Sequence, residues 1–123
     1  MRATQSDYII RLIEQLGAAL RRLREKLAGG RRDAAEEVVL EAADAQAELF
    51  GPLWEMIRHL DPETAASLVP ENERLSGWIE LLRVEADAAG LAGDEVRSAS
   101  SRERAVELQL QLDARPRADG RYL

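Results

Sequence analysis

The chain contains, from Asp7 to Phe50, the segment DYIIRLIEQLGAALRRLREKLAGGRRDAAEEVVLEAADAQAELF. In its first half, isoleucine and leucine recur at alternating steps of four and three residues, which places them on one face of a helix. These positions are Ile9, Ile13, Leu16, Leu20, Leu23 and Leu27. Gly29 or Gly30 fits a left-handed helix end, after which a second helical pattern runs to Phe50. The segment predicts a helical hairpin over residues 7–50 onto which the other helices pack.

The second helix of this hairpin has two apolar flanks with an acidic stripe between them. A helix that is apolar on two flanks needs neighbours on two sides, and its many alanines allow those neighbours to come close. The pattern therefore predicts that this helix is central in the fold. One flank is Ala35, Val39, Ala42 and Leu49, and the other is Leu40, Ala43, Ala47 and Phe50. The acidic stripe is Glu37, Glu41, Asp44 and Glu48.

Polar residues before the periodic segments predict where the helices begin. Residues that accept a hydrogen bond from the first free backbone N–H groups are favoured there, and a carboxylate three residues later strengthens the signal. Residues 1–6 are expected to be loose. The predicted caps are Thr4 with Asp7, Asp33 with Glu36, then Asp61, Asn72 and Asp94.

The second half of the chain divides into three parts. Residues 51–70 contain two short apolar pieces, each opened by a proline, and predict a connector of short helices. Residues 72–113 predict a second hairpin, although 106–112 alternate apolar and polar residues in a way that also fits a strand. Leucine, glutamine and glutamate favour the helix. Residues 115–123 are expected to be frayed.

Together these patterns predict one all-α domain over residues 1–123, an array or bundle of about five to six helices in antiparallel hairpins. A chain of 123 residues is one domain by length. Its core is expected to consist of aliphatic residues, because only 4% of the residues are aromatic. The predicted core is Ile9, Ile13, Leu16, Leu20, Leu23, Val39, Ala42, Leu75, Ile79 and Leu82.

A resemblance accompanies this pattern. Residues 13–20 spell I-x2-L-G-x2-L, which is similar to the first-helix pattern of a tetratricopeptide repeat with aliphatic residues at its aromatic positions. The spacing from Gly17 to Gly30 is about six residues longer than in that repeat, and its closing proline is missing. The residues that look like its turn glycine and second-helix positions are Gly30, Ala35, Val39 and Ala42.

The whole chain also resembles a family of small, uncharacterised bacterial all-α proteins, especially over residues 7–20 and 31–50. That resemblance implies a repeat-like α fold and implies no activity.

The composition of the chain limits the kinds of site and partner that the protein can have. The chain has no cysteine, which excludes a disulfide framework or a thiolate metal site. Its net charge of −6 argues against general nucleic-acid binding. It has no apolar run of membrane-spanning length and no secretory signal pattern, so a cytoplasmic location is expected.

Three polar features invite a functional interpretation. Glu55 and His59 are one helical turn apart and could share a metal ion or a proton, but a half-exposed histidine near a helix end is the ordinary alternative. The acidic stripe could bind a cation or a basic partner, although a solvated face is typical of such a pattern. A basic cluster could hold an anionic partner or nucleic acid, or be solvated and internally paired; it is Arg21, Arg22, Arg24, Lys26, Arg31 and Arg32.

The favoured hypothesis is a protein–protein interaction module that self-associates as a homodimer, with no catalysis, no metal and no cofactor. Two-sided apolar helices offer more apolar flank than four helices cover, and a symmetric dimer commonly covers such a face. The tryptophans are either core or interface anchors. The residues named as a possible interface are Trp54, Trp78, Leu108 and Leu112. The alternatives are a metal-dependent function through Glu55 and His59, and arginine-mediated binding of an anionic partner.

Overall fold

Helices account for nearly all of residues 2–116, the part of the chain that the computed structural model describes, with side chains described from Asp7 onward. No β-strand occurs within that range, and residues 106–112 are helical throughout. The elements are α1 (Arg2–Ala28), α2 (Arg32–Phe50), a 3-10 turn (Gly51–Leu53), α3 (Trp54–Ile57), α4 (Pro62–Ser67), α5 (Asn72–Ala92) and α6 (Glu95–Asp113). The predicted all-α class is confirmed.

Two predicted caps and two predicted glycine ends are confirmed. The Asp61 carboxylate accepts a hydrogen bond from the backbone N–H of Thr64 at 3.0 Å and begins α4. The Asp94 carboxylate begins α6 by accepting one from the N–H of Arg97. Gly30 and Gly93 adopt positive φ angles after α1 and α5. Glycine is favoured there because it has no Cβ to clash.

The other predicted starts are wrong by a few residues. The first helix begins at Arg2, so Thr4 lies within it and residues 2–6 are helical. The N-cap of α2 is Arg31, whose guanidinium binds the Asp33 carboxylate at 2.6 Å and thereby occupies the predicted cap. Asn72 is the first residue of α5, and its side-chain oxygen accepts a hydrogen bond from Arg115.

The central helix is α5, and the prediction that α2 is central is wrong. Helix α5 packs against α1, α2 and α6, and residues on all its sides are buried, Trp78, Leu81 and Leu82 among them. Helix α2 leaves Leu40, on its second apolar flank, 66% exposed. Only one flank of α2 is therefore fully covered.

The core contains eight of the ten predicted residues, but Ile9 and Ile13 are partly exposed. Helix α1 has 27 residues and the antiparallel α2 has 19, so about two turns of α1 lie beyond the end of α2. Ile9 lies at the edge of these turns and consequently has fewer neighbours, whereas Ile13 lies further along α1 and lines a hollow at the surface. The buried members are Leu16, Leu20, Leu23, Val39, Ala42, Leu75, Ile79 and Leu82.

An aromatic cluster fastens residues 51–70 to the helices. The Trp78 ring packs edge-on against Phe50 and Trp54, with centroids 4.7 and 6.3 Å away. Arg104 on α6 lies over the Trp78 ring and donates hydrogen bonds to the carbonyl oxygens of Ile57 and Leu60. These contacts hold the C-terminal end of α3 against the core.

The C-terminal part of the chain is held at Arg115. Its guanidinium donates hydrogen bonds to the carbonyl oxygens of Ala66, Val69 and Pro70 as well as to Asn72. The prediction of a frayed tail is therefore wrong at residue 115, and its residues 117–123 lie outside the described part of the chain.

Candidate interaction surface

Two of the four residues predicted to form an interface are enclosed by the chain itself. Trp78 and Leu108 have no exposed surface and belong to the core cluster, so neither can face a partner, and the alternative that Trp78 is a core residue is confirmed. Trp54 is half-buried beside Phe50. Leu112 is also half-buried, and it lines a groove at the surface.

This groove, called here the α1–α5 groove, has a volume of about 520 Å³. Its apolar walls come from one face of α1 and from Leu112 at the end of α6. Gly77 lets the two helices approach so closely that a Cβ added there would stand 2.0 Å from Cδ2 of Leu16. Glu73 and Asp113 supply an acidic rim. The groove thus offers an apolar floor to a helix or an extended segment.

A second hollow, called here the α1 groove, continues along the same helix with a volume of about 470 Å³. It is lined by Gly17 and Leu20, which also line the α1–α5 groove, and by Arg21 and Arg24. Ile10, Ile13, Gly17 and Leu20 are spaced three, four and three residues apart and so share one side of α1. These four residues are called the α1 face below.

The α1 face remains apolar where α1 leaves the other helices. Ile10 is 54% exposed, and Tyr8 on the other flank is 58% exposed. The sequence pattern does not reveal this surface, because the apolar residues of α1 also fit the stripe of a core helix. Two signals were available: Ile10 lies off the predicted stripe, and Gly17 interrupts a long helix.

A polar groove of about 710 Å³ lies on the other side of α5, between α2 and α6. Its floor holds a buried network in which the Gln46 amide donates to Oε1 of Glu85 at 2.6 Å and accepts from the Trp78 indole N–H at 3.1 Å. Arg97 donates to Oε2 of Glu85 at 2.9 Å. The Trp78 N–H and both carboxylate oxygens of Glu85 are thus paired within the chain.

The predicted basic cluster is largely paired within the chain. Arg24 binds Glu80 across to α5, and Arg31 binds Asp33. Lys26 reaches Glu41 at 2.7 Å, and hydrogen bonds to Glu41 and to its neighbour Glu37 raise the pKa of Lys26. The remaining members of the cluster are Arg21, Arg22 and Arg32, all exposed.

The acidic residues singled out in the sequence are also partly paired within the chain. Glu37 and Glu41 are held by Lys26, while Asp44 and Glu48 are exposed. Oε2 of Glu55 lies 3.5 Å from Arg58, and His59 is exposed at the end of α3. Within residues 2–116, no three histidine, aspartate or glutamate side chains come close enough together to hold a metal ion.

No protein-family model, curated protein or solved structure matches this chain. The resemblance to tetratricopeptide repeats therefore stays a prediction. In the described part of the chain, every helix is too short or too polar to cross a membrane.

Proposed function

We propose that this protein is a non-catalytic protein–protein interaction module that associates with a second copy of itself. The observation that carries the proposal is the apolar α1 face, which runs from the exposed Ile10 into two adjoining grooves. Leaving such a surface in water is unfavourable, and association removes it from water. A second copy is the partner of choice because a two-fold symmetric contact buries the same uncovered face twice.

The arrangement of the helices supports a tetratricopeptide-like layout within this proposal. Leu16 of α1 lies against Gly77, and further along both helices Ala28 lines a hollow with Leu91 of α5. These pairings imply that α1 and α5 run parallel, each followed by a helix that returns antiparallel to it. Successive helix pairs stacked in this way form extended binding surfaces.

The experiment that tests the proposal is sedimentation velocity over a wide range of protein concentrations. We expect the natural protein to sediment as a dimer at high concentration and to dissociate on dilution. Ile10→Glu should weaken the dimer, because it places a charge on the α1 face. Leu40→Glu is the matched control: Leu40 is exposed on α2, away from that face, and its replacement should leave the dimer unchanged. A strict monomer at high concentration would overturn the proposal.

The non-catalytic part of the proposal is tested separately, by metal analysis of the purified protein. It is supported by the exposed position of His59, the only histidine, whose neighbour Glu55 lies beside Arg58. A stoichiometric metal that is lost in His59→Ala would contradict it.

A further inference from the structure

Gly17 occupies a position on α1 that the packing within residues 7–116 does not explain. It lies in the interior of a helix of 27 residues, where glycine costs about 1 kcal/mol relative to alanine. A Cβ added at Gly17 would meet no atom within 4 Å, whereas one added at Gly77 would collide with Leu16. Among the described residues, nothing requires a glycine at position 17. Glycine on a helix surface does permit another backbone to approach closely.

The side chains around Gly17 suit a helix as the approaching partner. Gly17 and Leu20 form the boundary between the α1–α5 groove and the α1 groove, so hollows lie on both sides of Gly17. Ile10 and Ile13 extend the apolar face by one to two turns toward the N-terminus. Two helices that meet at a small residue can lie near the short end of the usual interaxial distance of about 8–10 Å.

Two charged residues determine the direction of that partner helix. Glu14 lies three residues before Gly17 and Arg21 four residues after it, both exposed and on the same side of α1. Neither takes part in an ion pair within residues 7–116. In a parallel pair of α1 helices related by a two-fold axis, this flank of each helix would lie on opposite sides of the contact, so Glu14 and Arg21 of the two copies would not meet. In an antiparallel pair that crosses at Gly17, each Glu14 faces the Arg21 of the other copy.

We infer that α1 of one copy crosses α1 of a second copy in antiparallel orientation at Gly17, with Ile10 and Ile13 in the contact and two reciprocal Glu14–Arg21 ion pairs beside it. The inference rests on the proposed self-association and assigns its site. Two-fold symmetry forms each ion pair twice, so a single substitution alters two contacts. Arg24, the next cation on this side, is already bound to Glu80 within its own chain.

The test is a charge exchange measured by sedimentation equilibrium. Glu14→Arg and Arg21→Glu each replace two attractive pairs with two repulsive ones, and each should weaken the dimer about tenfold. The double variant Glu14→Arg/Arg21→Glu restores opposite charges and should return to within about threefold of the natural affinity. Arg22→Glu makes the same charge change on the far side of α1 and should have little effect.

Gly17→Ala gives a second, independent measurement. Because the added Cβ meets no atom of the described residues within 4 Å, the variant should unfold at higher urea than the natural protein at dilutions where both are monomers. Its dimer should nevertheless be weaker, since the Cβ separates the crossing helices. Stabilisation and weaker association in one variant would distinguish a contact role from a folding defect.

The outcomes separate the inference from the proposal beneath it. A natural protein that dimerises while the charge variants and Gly17→Ala keep its affinity would overturn the crossing at Gly17 and leave self-association standing. Equal weakening by Arg21→Glu and Arg22→Glu, or failure of the double variant to recover, would also overturn it. A natural protein that stays monomeric would overturn both the crossing at Gly17 and the proposed self-association.

Discussion

Leu16 and Gly77 form the closest approach between α1 and α5. A Cβ added at Gly77 would stand 2.0 Å from Cδ2 of Leu16, a separation that real Cβ atoms do not show. The two residues are 61 positions apart in sequence, and Leu16 lines the α1–α5 groove at this point. The geometry of the groove therefore depends on the absence of a side chain at position 77.

Gly77→Ala should destabilise the protein. The gain in helix propensity is about 1 kcal/mol, but overpacking a buried contact costs about 1–3 kcal/mol, so we expect a net loss of about 1 kcal/mol or more. Urea unfolding at a fixed protein concentration measures this loss. Gly90→Ala on the same helix is the control, because the nearest atom to its added Cβ is Oγ of Ser98 at 3.4 Å. Equal stability of the Gly77→Ala variant and the natural protein would mean that Leu16 can turn into the groove.

Gln46→Leu should destabilise the core by about 2 kcal/mol or more, although leucine matches glutamine in size. The Gln46 side chain accepts from the Trp78 indole N–H and donates to Oε1 of Glu85, and the substitution leaves that N–H and that oxygen buried without a partner. Gln15→Leu at an exposed position should change the free energy of unfolding by no more than about 0.5 kcal/mol. Similar values for the two variants would show that water replaces the Gln46 amide.

Arg104→Lys should lower the free energy of unfolding by about 1–2 kcal/mol despite keeping the charge. The guanidinium donates to the carbonyl oxygens of Leu60 and Ile57 at 2.9 and 3.0 Å while lying over the Trp78 ring. An ammonium group cannot reproduce that planar arrangement. Burial lowers the pKa of Arg104, which is consistent with its enclosed position. Arg102→Lys, at an exposed site, should cost less than about 0.5 kcal/mol.

The local features of this fold were predictable from sequence. The four-three spacing in α1 correctly places Leu16, Leu20 and Leu23 in the core, because residues at that spacing share one face of any helix. The caps at Asp61 and Asp94 were predictable because each carboxylate binds an N–H group only three residues away.

The long-range features were not predictable. Whether Ile9 is covered depends on where α2 ends, which the pattern of α1 alone does not contain. Trp78 is suitable for the core only because Gln46, 32 residues earlier, satisfies its indole N–H. Leu108 is buried by α5, whose central place the two-flank pattern wrongly gave to α2. The candidate surface on α1 was not predictable either, because the apolar spacing of its residues is the same as that of a core stripe.

Asp61 should make the protein lose stability in acid. Its carboxylate accepts hydrogen bonds from the side chain and the backbone N–H of Thr64, which lowers the pKa of Asp61 in the folded state. A lowered folded pKa stabilises the fold above the ordinary aspartate pKa of about 3.9, and this contribution is lost as the pH falls through the folded value.

Asp61→Asn tests this effect, because asparagine caps a helix well but does not titrate. Its melting temperature should therefore fall less steeply than that of the natural protein as the pH drops from about 5 to below about 3. The exposed Asp44 gives the control variant Asp44→Asn, which should follow the natural protein. Parallel acid profiles for all three proteins would contradict the assignment.

Arg115→Ala should loosen α4 and the turn that joins it to α5. One guanidinium donates to the carbonyl oxygens of Ala66 and Val69 at 2.8 and 2.5 Å and to the Asn72 side chain at 2.9 Å. No other side chain within residues 7–116 bonds to either of these two carbonyls. Removing it should cost about 1–3 kcal/mol.

Amide hydrogen exchange followed by mass spectrometry locates the effect of Arg115→Ala. Exchange should accelerate in peptides that cover residues 62–72 and stay unchanged in α1, because α1 shares none of the Arg115 contacts. Arg22→Ala removes an exposed arginine from α1 and should leave residues 62–72 protected as in the natural protein. Unchanged exchange in those peptides after Arg115→Ala would mean that the core residues Ala65 and Val69 hold the segment without it.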